Sequence, residues 1–397
     1  MFDLYIKKLG NIPIRLIICF LFTTTVFFPF IPVVISSTDT QPTFFLLSIT
    51  TISIFLISPH FYSNYLKEDY SILVYVFLII FCSLLSIVLN SFLYGQFVII
   101  PRYISFLQFL AAFIFGYTNS FDFFKKYAKT IFFIYFIFTF IYFFTNGAVE
   151  NLLIRSRVFA EGQDLASMGR GSRTLSPEPS FFATQMFNLY LIYLLLLEKQ
   201  GDLAIFNNKR ILFMVCFCLL SSLSGYGFVI FFIILSAFFT QYFIVFLSLA
   251  IIFNSLIFEL LSDYSYLRGI GLVLKVIQNN PAILLTTDAS FASRFSSFFA
   301  YIDRFGNNLL IGDGFSLLQG GGFISILASL GIMGVIMLLS FFIKIFTAIR
   351  NRKLKYLLVF WFFLNFFSGP IGIPAIGIIL GLIIRPVCSK EISYANV

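Results

Sequence analysis

The sequence predicts an all-α, polytopic integral membrane protein. Hydrophobic residues make up 60% of its 397 positions and charged residues only 11%, and its mean hydropathy of +0.99 lies far above the range of soluble domains. Many segments exceed the roughly 18 apolar residues that an α-helix needs to cross about 30 Å of hydrocarbon. These segments lack the alternation of period two that is typical of membrane β-barrels. We therefore expect one transmembrane domain over residues 1–397.

The apolar runs and the breaks between them predict about twelve transmembrane helices. The predicted spans lie near residues 12–35, 43–58, 71–93, 97–117, 130–145, 178–197, 211–223, 226–240, 242–261, 322–343, 354–368 and 372–386. The first run is too long for a signal peptide and lacks a small-residue cleavage site, so we interpret it as the first membrane helix. Around residues 224–227 and 368–370 the spans are short with tight turns, so two helices there could also merge or re-enter the membrane.

The basic residues predict the orientation, because loops rich in Lys and Arg stay in the cytoplasm. With both termini inside, 12 Lys and 5 Arg fall on the cytoplasmic side, whereas the nine outer basic residues comprise eight Arg and one Lys. The outer residues are Arg102, Arg155, Arg157, Arg170, Arg173, Arg268, Lys275, Arg294 and Arg304. Guanidinium binds phosphate oxygens through a rigid fork, so the outer face suits a phosphate-bearing ligand. Alternatively, these Arg residues only anchor helices at the interface.

Other features of the composition narrow the function. The cytoplasmic excess of Lys and Arg accounts for the net charge of +9, and these residues would contact anionic lipid. We therefore predict no nucleic-acid partner. Four of the five Cys residues lie in apolar spans, and Cys388 lies near the inner end, so no outer pair is available for a disulfide. The sequence contains no nucleotide-binding glycine loop and no metal-ligand cluster, and we therefore expect no cofactor and no metal.

Two predicted periplasmic loops, residues 146–177 and 263–321, are long enough to hold a functional site. In the first loop, we expect Ser176 to be the N-cap, Pro177 the first helical residue and Glu178 part of the first turn of the sixth span. The positive end of that helix would then lie beside the preceding arginines and form an anion site. Those arginines are Arg170 and Arg173.

Glu178 has two interpretations. It either complements the helix dipole, or it acts as a base and sugar ligand at the membrane border. A dipole and nearby Arg would lower its pKa, whereas its position between two prolines aims it rigidly.

The second loop predicts a short interfacial helix over residues 288–304, on which Arg294 and Tyr301 share a face by their i, i+7 spacing. Gly312-Asp313-Gly314 and then Gly320 to Gly322 follow, and glycines allow the backbone to approach a ligand or a helix closely. Arg102 follows Pro101 near the outer end of the fourth span, where it either snorkels to the interface or lines a water-filled cavity. The only histidine, His60, falls in a cytoplasmic loop, and a catalytic role is not expected for it.

Together these marks resemble the Wzy-type O-antigen polymerases, relatives of the O-antigen ligases. The residues that carry the resemblance are 170–180 with Glu178-Pro179-Ser180, the turn at 221–227, Ser293-Arg294, Gly312-Asp313-Gly314, and the stretch from Gly320 to Gly334. They occur in the family's order over roughly residues 150–340. Ligases of this superfamily place a histidine in the large loop before a late span, and this chain has none there, which favours a polymerase.

The resemblance implies a GT-C-like glycosyltransferase architecture in the bacterial inner membrane. It also implies transfer of a growing glycan from undecaprenyl pyrophosphate to a lipid-linked repeat unit, for lipopolysaccharide or another polysaccharide, and a chain-length regulator as a further partner. On this basis we expect Arg173 and Arg294 to clamp the pyrophosphate and Glu178 to orient the acceptor hydroxyl. We expect substrate binding to involve Arg102, Arg170, Arg304, Tyr301 and Ser180.

Two other classes of function remain open. A carrier-lipid flippase or polysaccharide transporter would also need cationic groups and about twelve helices. However, a transporter would carry paired polar residues near the midplane, whereas the charges here lie at the outer border. A structural assembly partner would not need a rigid Arg and Glu arrangement.

Overall fold

The computed structural model describes residues 18, 20–30, 42–57, 71–118, 122–145, 147–149, 171–199, 208–241, 243–245, 248, 289–316, 322–367 and 372–385. All regular elements within these ranges are α-helices. The helices are α1 (20–27), α2 (Pro42–Ile57), α3 (Ser71–Tyr94), α4 (Ile100–Thr118), α5 (Asp122–Thr145), α6 (Pro179–Lys199), α7 (Lys209–Ser221), α8 (Gly225–Phe238), α9 (Ala289–Asn307), α10 (Phe323–Leu330), α11 (Ile332–Ala348), α12 (Arg352–Phe367) and α13 (Pro374–Ile384).

Four helices are long and apolar enough to cross a membrane: Ser71–Tyr94, Ile100–Thr118, Phe124–Thr145 and Pro179–Lys199. Four apolar helices are shorter, Phe44–Ile57, Gly225–Phe238, Ile332–Ala348 and Pro374–Ile384. The chain is therefore an all-helical, membrane-embedded protein, as its composition predicts. Most of the predicted span at 242–261 and most of the two predicted periplasmic loops lie outside the described residues.

The apolar run 322–343, predicted as one helix, is two helices joined at Gly331, and that prediction was wrong. Gly331 has φ 57° and ψ −133°, a conformation that essentially only glycine adopts. The backbone of residues 309–312 fills the break, since a Cβ atom on Gly331 would lie 2.6 Å from Leu309 O and 2.7 Å from Gly312 N. Hydropathy alone did not reveal this break because both sides of it are equally apolar.

The centre of the bundle is the contact between α4 and α13, which run parallel. Small residues allow their backbones to meet, a common device in membrane helix packing. A Cβ atom on Gly377 would lie 2.5 Å from Phe109 O, and one on Gly381 would lie 2.3 Å from Phe113 O. Since residue numbers rise together along both helices, the amino-terminal ends of α4 and α13 lie on the same side of the bundle.

The opposite end of the bundle, which we call the lysine end, joins the carboxyl ends of α6, α11 and α13. Lys199 Nζ donates a hydrogen bond of 2.6 Å to Arg385 O. Glu198 Oε1 accepts hydrogen bonds from the backbone N–H groups of Arg350 (2.8 Å) and Asn351 (3.0 Å), at the start of α12. The amino-terminal ends of α4, α6, α11 and α13 therefore lie at the other end of the bundle, which we call the arginine end because it carries Arg102 and Arg173.

Candidate functional site

The segment 171–180 at the arginine end packs against the turn between α7 and α8. Gly171 is so close to this turn that a Cβ atom there would lie 2.5 Å from Ser221 O. The Ser172 N–H donates to the same carbonyl at 2.9 Å. Ser224 caps α8, and its hydroxyl accepts from Gly227 N at 2.9 Å. The two segments 171–180 and 221–227, which lie far apart in the sequence, thus form one local structure.

Buried hydroxyl groups link this segment to α5 by hydrogen bonds. Ser172 Oγ and Thr174 Oγ1 are 2.7 Å apart, and Thr174 Oγ1 lies 3.2 Å from Thr139 Oγ1 on α5. Thr174 has φ 46°, in the left-handed region that is costly for a β-branched residue. Arg173, next to it, is only 1% exposed. The strained backbone and the linked hydroxyl groups thus hold a buried arginine at the arginine end.

The start of α6 differs from the sequence prediction. The helix begins at Pro179, so Pro177 and Glu178 precede it and Ser176 is not its N-cap. The N–H of Ser176 instead donates to Arg173 O at 3.0 Å. The reason is the second proline, because the residue before a proline is disfavoured in the α conformation and Pro179 suits the first helical position. Glu178 therefore lies at the cap, where its carbonyl accepts from Phe182 N at 3.1 Å.

Glu178 and Ser180, both predicted site residues, lie together at this helix start. The Ser180 hydroxyl donates a long hydrogen bond of 3.5 Å to Glu178 Oε2. Both side chains are half-buried, so they remain accessible to a ligand at the surface. The carboxylate stands at the amino terminus of a helix of 21 residues.

A second cluster at the arginine end joins α4, α9 and the turn at 312–314. It contains Arg102, Tyr301, Arg304 and Asp313, and three of these were predicted as substrate-binding residues. Burial raises the pKa of Tyr301 to about 12; the positive charge of Arg102 opposes this and the Asp313 carboxylate adds to it. The phenol is therefore a neutral hydrogen-bond donor at physiological pH. Arg102 and Arg304 are half-buried beside it.

Asp313 is the member of this cluster that sequence reasoning missed. Its side chain is fully buried, and burial raises its pKa. The N–H of Phe315, the hydroxyl of Ser329 and the charge of Arg304 lower the pKa, but by less. The sequence shows Asp313 between two glycines in a long predicted loop, and our prediction used only the glycines. An acid between two residues that readily adopt positive φ is the signal that could have identified Asp313 as a site residue.

The turn that carries Asp313 is clasped between α3 and the α10–α11 break. Asn90 Nδ2 donates to Gly312 O at 2.8 Å, and Ser86 Oγ donates to Ser329 O at 2.9 Å. The N–H of Asp313 donates to Ala328 O at 2.7 Å. We call this arrangement the 312–314 clasp. It fixes the cluster rigidly, because its bonds join three separate elements.

The structure thus describes the predicted site residues in three places. Glu178 and Ser180 lie together at the start of α6, and Arg173 is buried in the segment that precedes this helix. Arg102, Tyr301 and Arg304 belong to the second cluster. The helix predicted over 288–304 is confirmed as α9, although the side chain of Arg294 lies outside the described residues, as does all of Arg170. Within the part of the chain that the structure describes, no three His, Cys, Asp or Glu side chains gather to hold a metal ion. No protein-family model, curated protein or solved structure matches this chain.

Proposed function

We propose that this protein is a polysaccharide polymerase that transfers a glycan from undecaprenyl diphosphate to a lipid-linked repeat unit at the outer face of a bacterial inner membrane. The observation that carries the proposal is the convergence of Arg102, Arg304 and Tyr301 at one end of the bundle, opposite the lysine end. By the positive-inside rule, the lysine end is cytoplasmic and the arginine end faces the periplasm. Both termini are then cytoplasmic, and a chain-length regulator is a further expected partner.

The reaction needs positive charge where the diphosphate leaves. The acceptor hydroxyl oxygen forms a bond to the anomeric carbon, the bond from that carbon to the diphosphate oxygen breaks, and the diphosphate departs with the electron pair. Arg102 and Arg304 are half-buried, so they can bind the departing oxygens in a region of low dielectric constant where each charge is strengthened. The neutral phenol of Tyr301 adds a hydrogen-bond donor. This arrangement supplies the leaving-group side of the site.

The cluster at the start of α6 supplies the acceptor side. Glu178 lies at the surface next to Ser180, and together they can orient a sugar hydroxyl and accept its proton. Arg173 is 1% exposed, so we propose that its charge acts on the diphosphate from within the protein, while Arg294 and Arg170 complete the clamp. Both clusters lie at the arginine end, where a lipid-borne substrate would present its head group.

A flippase is the alternative, and one observation favours it. Two neutral polar side chains lie deep in α6, where Gln185 Nε2 donates to Val26 O at 2.7 Å and Trp361 Nε1 donates to Asn188 Oδ1 at 2.7 Å. Polar groups at membrane depth can mark a transport path. Both are engaged with protein partners, however, which also fits a role in holding membrane helices together. The polymerase therefore remains the better supported function.

The test is formation of a glycan ladder by purified protein with lipid-linked repeat units. We expect Arg102→Ala, Arg304→Ala and Glu178→Gln each to slow ladder growth on the order of 100-fold, the usual cost of removing one group that stabilises transition-state charge. Arg352→Ala is the matched control, because Arg352 is exposed at the lysine end. Undiminished ladders in all three variants would defeat the site assignment. Lipid translocation without any ladder would support the flippase.

The orientation can be tested separately by labelling single cysteines in a background without Cys82, Cys216 and Cys218 and the other native cysteines. Asp303→Cys lies on the exposed side of α9, and Arg352→Cys lies at the lysine end. In intact inverted and right-side-out vesicles, a membrane-impermeant maleimide should reach the two positions from opposite sides. Labelling of Asp303→Cys from the cytoplasmic side contradicts the proposed function.

A further inference from the structure

Asp313 is a buried acid for which the proposed reaction gives no role. Its Oδ1 atom accepts the N–H of Phe315 at 3.0 Å. Its Oδ2 atom is buried and accepts no hydrogen bond from any residue that the structure describes. A buried carboxylate oxygen without a donor disfavours the charged form of the group. Burial therefore raises the pKa of this carboxyl and favours its neutral form.

The carboxyl of Asp313 lies among groups from its own turn and from neighbouring helices. The N–H groups of Phe315 and Ser316, the hydroxyl of Ser329 on α10 and the charge of Arg304 on α9 lie near it and favour its charged form. Its charge in turn acts on Tyr301 of α9, which also feels the charge of Arg102 on α4. Ser86 and Asn90 of α3 donate to the backbone carbonyls of Ser329 and Gly312. The charged state of Asp313 thus depends directly on Arg304, one of the two arginines that we propose for binding the diphosphate.

We infer that Asp313 takes up a proton when a polyprenyl diphosphate binds at Arg102 and Arg304, and releases it when the diphosphate leaves. The inference rests on the proposed function and adds a regulatory group to the same site. An O–H bond forms at Oδ2, a buffer acid in solution loses the proton and becomes its conjugate base, and no bond of the lipid changes. Asp313 does not touch the reacting atoms, so it is a positioning residue.

Three effects of binding act in the same direction. The diphosphate places new negative charge near the carboxylate, and like charges raise the pKa of an acid. It also draws on the charge of Arg304, which otherwise stabilises the carboxylate. Finally, the ligand displaces water and so strengthens the penalty of burial. Each effect favours the protonated acid in the bound state.

Linkage then fixes the pH dependence of affinity. A proton taken up on binding makes affinity rise as pH falls, by up to about tenfold per pH unit between the pKa values of the free and the bound state. Asp313→Asn keeps an oxygen that accepts the Phe315 N–H but cannot change its charge. This variant should lose the part of the pH dependence that comes from Asp313 and keep only the part that comes from the diphosphate itself. Above the window it should bind more tightly than the wild type.

The experiment is calorimetric titration of detergent-solubilised protein with undecaprenyl diphosphate in two buffers of different ionisation enthalpy, from pH 5 to pH 8. The difference between the buffers gives the number of protons taken up. We expect the wild type and Asp303→Asn, which removes an exposed acid from α9, to take up more protons than Asp313→Asn by a substantial fraction of one. Protons exchanged by the diphosphate itself, whose last ionisation lies at about pH 6, are common to all three proteins. Inorganic pyrophosphate in a parallel titration shows whether the lipid tail is needed for the coupling.

Proton uptake that is equal in the wild type and in Asp313→Asn overturns the inference and leaves the polymerase proposal standing. A larger uptake in the wild type together with no glycan ladder would instead refute the polymerase reaction and keep the assignment of Asp313. Asp313→Ser is a second neutral variant for the same comparison if Asp313→Asn does not fold.

Discussion

Replacing Gly312 by alanine should destabilise the protein and damage the arginine end. Gly312 has φ +77°, and a Cβ atom there would lie 2.3 Å from Ser329 O and 2.6 Å from Gly331 N. Two separate costs therefore apply at one position. The left-handed conformation costs about 1–2 kcal/mol for a residue with a Cβ atom. Overpacking against atoms that cannot rotate away costs a further ~1–3 kcal/mol.

The chain offers two matched controls that separate these costs. Gly95 has φ +62° with nothing within 4 Å of its Cβ position, so Gly95→Ala carries the backbone cost alone. Gly306 lies in α9 with open space around it, so Gly306→Ala carries neither cost and gains helix propensity. The expected order of stability is Gly306→Ala at or above the wild type, then Gly95→Ala, and Gly312→Ala lowest, about 2–5 kcal/mol below the wild type.

The assay is the thermal unfolding midpoint of each purified variant in detergent, together with glycan ladder formation at a permissive temperature. Gly312→Ala should lose activity beyond its loss of stability, because its backbone neighbours position Asp313. A midpoint for Gly312→Ala equal to that of Gly95→Ala would refute the close packing of the 312–314 clasp. Equal activity of all three variants would show that this packing does not matter for the site.

Three further perturbations test other contacts. Trp361→Phe removes the donor to Asn188 Oδ1 and should lower the stability by about 1–3 kcal/mol, measured by the thermal midpoint. Adding Asn188→Leu should recover part of this loss. A midpoint of Trp361→Phe equal to that of the wild type would show that the bond is unimportant. Glu198→Ala frees two N–H groups at the start of α12 and should cost about 1 kcal/mol, whereas Glu198→Gln, which retains an acceptor, should unfold near the wild-type midpoint. Burial raises the pKa of Asp313 above its unfolded value of 3.8, so its contribution to stability is full below pH 3.8 and is lost as pH rises through the folded pKa. Asp313→Asn should therefore remove that part of the pH dependence of the unfolding midpoint. A pH dependence equal to that of the wild type would contradict this prediction.

Local patterns predicted the helices well where local physics decides them. The periodicity that places Arg294 and Tyr301 on one face correctly predicted α9, because an amphipathic helix is encoded in its own residues. The start of α6 was missed by a few residues because two prolines compete for the first helical position. Only the conformation of Glu178, the residue between them, decides which proline is used.

The parts that sequence did not predict depend on distant contacts. The break at Gly331 exists because residues 309–312 pack into it, and no property of the apolar run itself indicates that. Similarly, the burial of Asp313 depends on Asn90, 222 residues away from Gly312 in the chain. Roles for Arg102 and Arg304 were predicted from their residue type, but the action of Arg102 on Tyr301 and of Arg304 on Asp313 becomes visible only when α4, α9 and the clasp are placed together.

The 312–314 clasp also determines when this end of the protein is completed during translation. Helix α10 has eight residues and rises only about 12 Å, so it cannot be released into lipid as an independent span. Its partner on α3, Ser86, is synthesised 243 residues earlier than Ser329. Until the ribosome has delivered α10, the hydroxyl and amide groups of α3 lack these acceptors. The arginine end of the protein is thus completed late in translation, and nascent chains truncated before residue 331 should be recognised by membrane proteases.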